Sequence, residues 1–264
     1  MSAAIEKNAQ ALKALFGDAA LANRLGSTRI AVATSSEQMP QSGVLLADVL
    51  ADVLGRLWPN IDFSGSCAER QLMVATDAAR SGGAPLEGVA CRWAPPYDCV
   101  VYVGTSMYPD AGYAIQVGAD GWEVQLGPDA ICGTSDNPVG PAFAAAMAAA
   151  QIFRHVFAAE LTGVDAPPLQ ECKLDIRELF QAPQLEITPL YLRETHMFGV
   201  GAVSHGLIWL LEHWPSTVSG ELSLVDQDKY GDSNGQRYAF MQAMNIGIAK
   251  VDAVTARLTA AHPT

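Results

Sequence analysis

The stretch from Glu194 to Arg257 decides the fold: ETHMFGVGAVSHGLIWLLEHWPSTVSGELSLVDQDKYGDSNGQRYAFMQAMNIGIAKVDAVTAR. It reads as strand, glycine turn, helix, strand and polar loop, the order of a unit with parallel strands joined by a crossover helix. Gly199 and Gly201 let the backbone turn tightly and come close to a phosphate, and the helix after them presents unpaired N–H groups to negative charge. The spacing predicts that helix over Leu207–Trp214, ended by Pro215, and the next strand over Glu221–Val225. Asp226 and Asp228 close that strand, where the ribose of a nucleotide would lie. Ser204 stands at the third glycine position of a G-x-G-x-x-G turn, so the glycines alone leave dehydrogenase and methyltransferase readings open. Beyond the acids come Asn234, Gln236, Arg237 and then Lys250, polar residues that a plain dehydrogenase does not need.

Upstream, apolar spacing predicts a helix over residues 3–24 and a β-branched strand over Ile30–Thr34. The turn after that strand, Ser35–Ser42, reads SSEQMPQS and has no glycine pair, so no phosphate cradle is expected there. Further helices are expected over residues 43–57, stopped near Trp58 and Pro59, and over Ala68–Arg80, with strands at Ile61–Phe63 and Cys99–Val103. Tyr113–Val117 and Trp122–Leu126 alternate as a hairpin with Ala119, Asp120 and Gly121 at its tip. An alanine-rich helix follows over Pro141–Leu161. Periodicity lapses between Val164 and Leu190, where Pro167, Pro168, Pro183 and Pro189 suggest a linker. The fold class is therefore α/β and Rossmann-like, with a degenerate first domain over residues 1–163, a linker over 164–190, and the first part of a second dinucleotide-binding-type domain over 191–264.

Composition bounds the function. The chain has 264 residues, half of them apolar and 17% charged, which is ample for a folded core. Its net charge of −12 opposes binding of nucleic acid or anionic membrane through bulk electrostatics. Five cysteines (Cys67, Cys91, Cys99, Cys132 and Cys172) are scattered with no C-x-x-C pair, so neither a disulfide framework nor a zinc site is expected, and a cytoplasmic setting fits. No apolar run is long enough for a membrane span, and Glu6, Lys7, Lys13 and Asp18 interrupt any signal-peptide reading of the N-terminus.

The acidic pair, the SN dipeptide, Arg237 and the GIAK turn before a helix resemble the adenylyltransferase domain of ubiquitin-activating-type enzymes. That family includes bacterial relatives in molybdopterin and thiamine biosynthesis. The resemblance covers about residues 196–257. It implies that Asp226 holds the ribose, that Asp228 makes a second polar contact, and that Asn234, Arg237 and Lys250 face the triphosphate with Gln236 supporting their loop. It also implies ATP and magnesium as cofactors, a ubiquitin-like protein as partner, a conjugating enzyme as a further partner, and a homodimer. Arg237 and Lys250 then carry the catalysis. The order of elements in residues 1–163 resembles the inactive adenylation half of two-domain activating enzymes, in which Arg24 or Arg29 could be lent to a neighbouring site or serve as ordinary helix-end and strand-edge charges. Similar two-domain proteins occur in bacterial ubiquitin-like conjugation linked to antiviral defence.

The magnesium-holding Asp of that family has no counterpart up to Thr264, and the second domain is expected to be cut short there. Two other readings stand beside adenylation. One is a non-catalytic scaffold that binds a ubiquitin-like protein or a catalytic subunit; the other is an NAD-dependent oxidoreductase, suggested by the glycine turn alone. His205 is expected as a helix-surface residue, His196 and His213 are too far apart in pattern to hold a metal, and Cys172 is the one thiol worth testing for reactivity. Trp93 and Trp122 are expected to pack.

Overall fold

The computed structural model describes residue 14 and residues 20–82, 88–105, 111–161 and 171–263. The run Ile30–Thr34 forms β1 and is buried at every position. A strand buried on both faces must lie inside a parallel sheet. β2 (Ile61–Ser64) and β4 (Tyr97–Val103) pair with it in parallel on its two sides, β3 (Val89–Cys91) extends the sheet past β2, and β5 (Ala111–Asp120) extends it past β4. β6 (Glu123–Leu126) returns antiparallel to β5, and β7 (Cys172–Asp175) runs antiparallel to β6. The result is a seven-stranded sheet in the order β3-β2-β1-β4-β5-β6-β7. Strand order reverses between β1 and β4, the switch point at which open α/β sheets bind ligands.

Helix α1 (Ala20–Ser27) leads into β1, and α2 (Gln41–Leu57) and α3 (Ala68–Gly82) follow β1 and β2. α2 packs between α3 and α4 (Val139–Val156). Leu45, Leu46, Leu50 and Leu54 of α2, at helical spacing, share one apolar cluster with Ile30, Val32, Val101 and Ile152. α2 ends where the Trp58 N–H bonds back to the Leu54 carbonyl at 2.8 Å, immediately before Pro59, which cannot continue a helix. α4 tolerates Pro141 in its first turn, where no intrahelical N–H bond is lost, and Asn137 Oδ1 accepts the Val139 N–H at 3.0 Å.

Several sequence expectations change at this level. The expected linker contributes β7 to the first sheet and the short helix α5 (Ile176–Leu179), because pairing with β6 satisfies backbone groups that side-chain periodicity does not report. Ala119 and Asp120 remain in the hairpin ladder, which turns instead at Gly121 and Trp122. The expected helix over residues 3–24 lies mostly outside the described residues, and its C-terminal part continues to Ser27 as α1. β3 is too short and too exposed to carry a readable alternation.

The C-terminal unit is β8 (Leu190–Phe198), α6 (Ala202–Glu212), β9 (Val218–Val225) and α7 (Lys250–Ala261), with a short 3₁₀ turn at Ala243–Asn245. β8 and β9 form a separate two-stranded parallel sheet. α6 begins directly after the glycine turn, a full turn earlier than Leu207, since Gly201 takes the N-cap position. A small apolar cluster of Val200, Ile208 and Val254 packs with Met197, Leu224, Val251 and Leu258. Trp209 leaves this cluster to join the main core and stacks on Phe240 with ring centroids 5.4 Å apart. Both modules are built as Rossmann-like α/β units.

Gly65 joins β2 to α3 at φ +95°, and an added Cβ there would collide with the Thr34 carbonyl oxygen. Gly65→Ala is expected to lower unfolding free energy by about 1–3 kcal/mol through backbone strain, read as a lower urea midpoint.

Candidate functional site

Asp226, at the C-terminal end of β9, ties the glycine turn to the loop that follows. Its Oδ2 accepts the Val200 N–H at 2.7 Å, inside the Gly199–Gly201 turn, and its Oδ1 accepts the Asp228 N–H at 2.8 Å. Lys250, at the first position of α7, brings its ammonium to 3.4 Å from Asp226 Oδ2 and 3.0 Å from Asp228 Oδ2. The Lys250 side chain is 5% exposed and that of Asp228 is 63% exposed, so Asp228 is the carboxylate that faces solvent. Partial burial works to raise the Asp226 carboxyl, but the two backbone N–H groups and Lys250 outweigh it and hold the group below its usual value. Burial likewise works to lower Lys250, and the bonds and charges of Asp228, Tyr238 and Asp226 keep it above its usual value. Both groups therefore stay charged at neutral pH.

Gly199 has φ +85°, a left-handed conformation that favours glycine. A Cβ added at Gly199 or Gly201 would meet nothing within 4 Å, so the ground beside the turn is open. Gly201 caps α6 with no side-chain hydrogen bond, leaving the first-turn N–H groups of the helix uncapped by any side chain. These features fit a phosphate. The corresponding place in the first domain differs. There Met39 and Cys132 crowd Gly43 in the first turn of α2, so no side chain or phosphate could approach it without displacing them. The space beside Gly43 is thus occupied, whereas that beside Gly199 and Gly201 is open.

The loop after Asp228 has its own internal order. Asn234 is buried, and its Oδ1 accepts the Gly231 N–H at 2.8 Å, while its carbonyl accepts the N–H groups of Arg237 and Tyr238 at 3.0 and 2.9 Å. Asn234 Oδ1 therefore folds the loop on itself. Gln236 is half-buried, and Arg237 is exposed with its guanidinium carbon 5.7 Å from the Tyr238 ring centroid. Lys250 Nζ lies 5.6 Å from the same centroid. Tyr238 thus joins Arg237 to the Asp226–Asp228–Lys250 group, a link for which sequence spacing held no signal. Among the described residues no group of three His, Cys, Asp or Glu side chains could hold a metal ion.

His205 corrects one expectation. It is fully buried rather than on the helix surface, because α6 turns that face toward Tyr230 and Tyr238. Its Nδ1 lies 3.1 Å from the Ala239 carbonyl, which can only accept, so Nδ1 carries the proton and Nε2 accepts the Tyr230 hydroxyl at 2.7 Å. Burial pushes its pKa down to about 4, the Ala239 bond works the other way, and the charges of Arg257, Arg56 and Lys250 reinforce the fall. Burial also pushes the Tyr230 hydroxyl up to about 12. Arg24 and Arg29 are both held within the first domain. Arg24 pairs with Glu160 at 2.7 Å, and Arg29 donates to the Ala94 and Pro96 carbonyls at 2.7 and 2.8 Å. Cys172 is half-buried on β7 beside Leu126.

Fold and geometry together define a Rossmann-like α/β protein with an acid-and-lysine cluster at an open glycine turn. Comparison with known proteins places it further. Residues 65–166 match the family described as the BilD N-terminal domain. Over 157 residues the chain is 34% identical to the uncharacterized protein y4jF of Sinorhizobium fredii (strain NBRC 101917 / NGR234), covering 56% of this chain and 30% of that protein. The chain thus matches about a third of that relative's length. The family match falls on the segment from Gly65 into the region after α4, so the glycine-turn site lies outside it. No helix among the described residues is long and apolar enough to cross a membrane.

Above pH 6.5 neutral His205 contributes fully to stability. Since the unfolded chain binds this proton near 6.5 and the folded chain only near 4, stability is lost as the pH falls through that window, on the order of 3 kcal/mol in all. Urea midpoints measured from pH 7 to 4 are expected to fall, and the fall is expected to flatten in His205→Phe.

Proposed function

We propose that this chain is part of a bacterial ubiquitin-activating-type protein whose C-terminal unit binds ATP for adenylation of the C-terminal carboxylate of a ubiquitin-like partner. The observation that carries the reading is the Asp226 cluster: one carboxylate holds the glycine turn through Val200 and is itself held by Lys250. The match of residues 65–166 to the BilD N-terminal domain, in the part of the chain that resembles an inactive adenylation half, supports the same class.

When bound, ATP supplies an activated α-phosphorus that a carboxylate attacks as pyrophosphate leaves. The chain's own part is electrostatic. Lys250 offsets one of the two negative charges of Asp226 and Asp228, which lessens their repulsion of an incoming triphosphate. Arg237 is exposed and offers a planar fork of donors to phosphate oxygens, and the uncapped N-terminus of α6 adds backbone donors. Asp228 is the exposed carboxylate available to a ribose hydroxyl or to magnesium carried in with the nucleotide. Gln236 would steady the loop. The cytoplasm, where ATP is abundant, is the setting this chemistry requires.

One observation favours a non-catalytic scaffold instead: Lys250 is already engaged by two carboxylates, and Arg237, beside the Tyr238 ring, is the cation of the proposed pair with no ion pair among the described residues. Pyrophosphate–ATP exchange by the full-length protein with a candidate ubiquitin-like partner separates the readings. Arg237→Ala and Lys250→Ala are each expected to lower exchange by about 10²–10³. Partner binding without exchange would favour the scaffold, and failure of ATP to raise the thermal midpoint of the full-length protein would remove the nucleotide site.

A further inference from the structure

The loop that carries Asn234, Gln236 and Arg237 is held from outside its own unit. Asp52 and Arg56, one turn apart on α2 of the first domain, form a two-point ion pair, with Arg56 Nε 3.0 Å from Asp52 Oδ2 and Nη2 2.6 Å from Oδ1. The pair is buried, with side chains 4% and 2% exposed. Its remaining capacity goes to the loop. Arg56 Nη1 donates to the Gly235 carbonyl in a short bond, Nη2 donates to the Met241 carbonyl at 3.2 Å, and Asp52 Oδ2 accepts the Phe240 N–H at 3.1 Å. Ser81 of α3 adds a second donor to the Met241 carbonyl at 2.7 Å.

We infer that Arg56 is a positioning residue for the candidate nucleotide site, setting from the first domain where Arg237 stands relative to Lys250; the inference rests on the nucleotide reading above. Gly235 is buried and lies directly before Gln236 and Arg237, so a shift of its carbonyl moves the guanidinium that follows. Tyr238 continues the chain from Arg237 to the neighbourhood of Lys250. Met241 and Phe240, anchored by the same pair, fix the far end of the loop. A lysine at residue 56 would keep a positive charge for Asp52 but lacks the planar fork, so it cannot serve Asp52 and two loop carbonyls in the same geometry. A buried backbone carbonyl left without its donor is costly, and the loop would move to find water. By linkage, a ligand on the loop must also act back on the end of α2.

Arg56→Lys and the control Arg70→Lys separate positioning from general weakening. Arg70 also pairs with a buried carboxylate of α2, Asp48, yet among the described residues it has no hydrogen bond to the loop. In hydrogen–deuterium exchange of the full-length protein, Arg56→Lys is expected to deprotect residues 234–242 and Arg70→Lys to leave them unchanged. In titrations with MgATP, Arg56→Lys is expected to weaken binding about tenfold and Arg70→Lys to leave it near wild type. Wild-type MgATP is expected to increase protection at the C-terminal turn of α2. Ser81→Ala, which removes one loop bond and leaves the ion pair whole, provides a folded variant expected to show a smaller loss of protection in the same segment. Unchanged loop exchange in Arg56→Lys would overturn the inference, as would equal loss of MgATP affinity in the two lysine variants. If wild type binds no MgATP while Arg56→Lys still loosens the loop, the nucleotide reading fails, and Arg56 is left as a structural joint without a positioning role.

Discussion

A buried guanidinium left short of partners is costly, and Arg56 makes four hydrogen bonds shared between the two sides of a junction. Asp52 alone would neutralise its charge but not satisfy its full fork. The loop carbonyls of Gly235 and Met241 bring the bonded N–H groups to four of its five, and Asp52 in turn takes the Phe240 N–H. Removing one member of such a pair commonly costs about 3–5 kcal/mol because the other is left buried and unpaired. The C-terminal unit needs this anchorage. Its two-stranded sheet is largely exposed and its own two apolar clusters are small, so it has little with which to hold itself together.

The two modules treat the same topological position in opposite ways. Each has a strand leading through a turn into a helix, and each helix presents its N-terminus at the end of that strand. In the first, Met39 and Cys132 fill the space over Gly43, and the gain is apolar burial beside the central strands. In the second, Gly199 and Gly201 keep that space clear, and Asp226 secures the turn from below by accepting the Val200 N–H. Leaving the second open leaves the first N–H groups of α6 without a side-chain cap.

Much of this was legible in the chain. The fully buried run Ile30–Thr34, the Leu-rich α2 ended by Pro59 and the alternating hairpin all follow from side-chain periodicity, because one face or both faces of each element are sealed from water. β7 was not legible, since it has a mixed burial pattern and exists because β6 offers it a free edge. At the site, the glycines and the acid stood out, and Lys250 does meet Asp226 and Asp228. Asn234 stood out too, although its Oδ1 turns inward to Gly231. His205 looked like a surface residue because a helix of mixed composition gives no sign of which face another loop will cover.

What the sequence determined by itself is most of the larger elements and the residue types gathered at the glycine turn. Periodicity, proline stops and glycine positions are local properties, written in neighbouring residues. Only the tertiary structure decided which side chains share a proton, a charge or a backbone group. The neutral His205–Tyr230 pair, the packing of Cys132 against Gly43 and the grip of Arg56 on Gly235 join residues far apart along the chain. Such contacts depend on burial and on the direction of single donors and acceptors, and those are set by packing rather than by spacing.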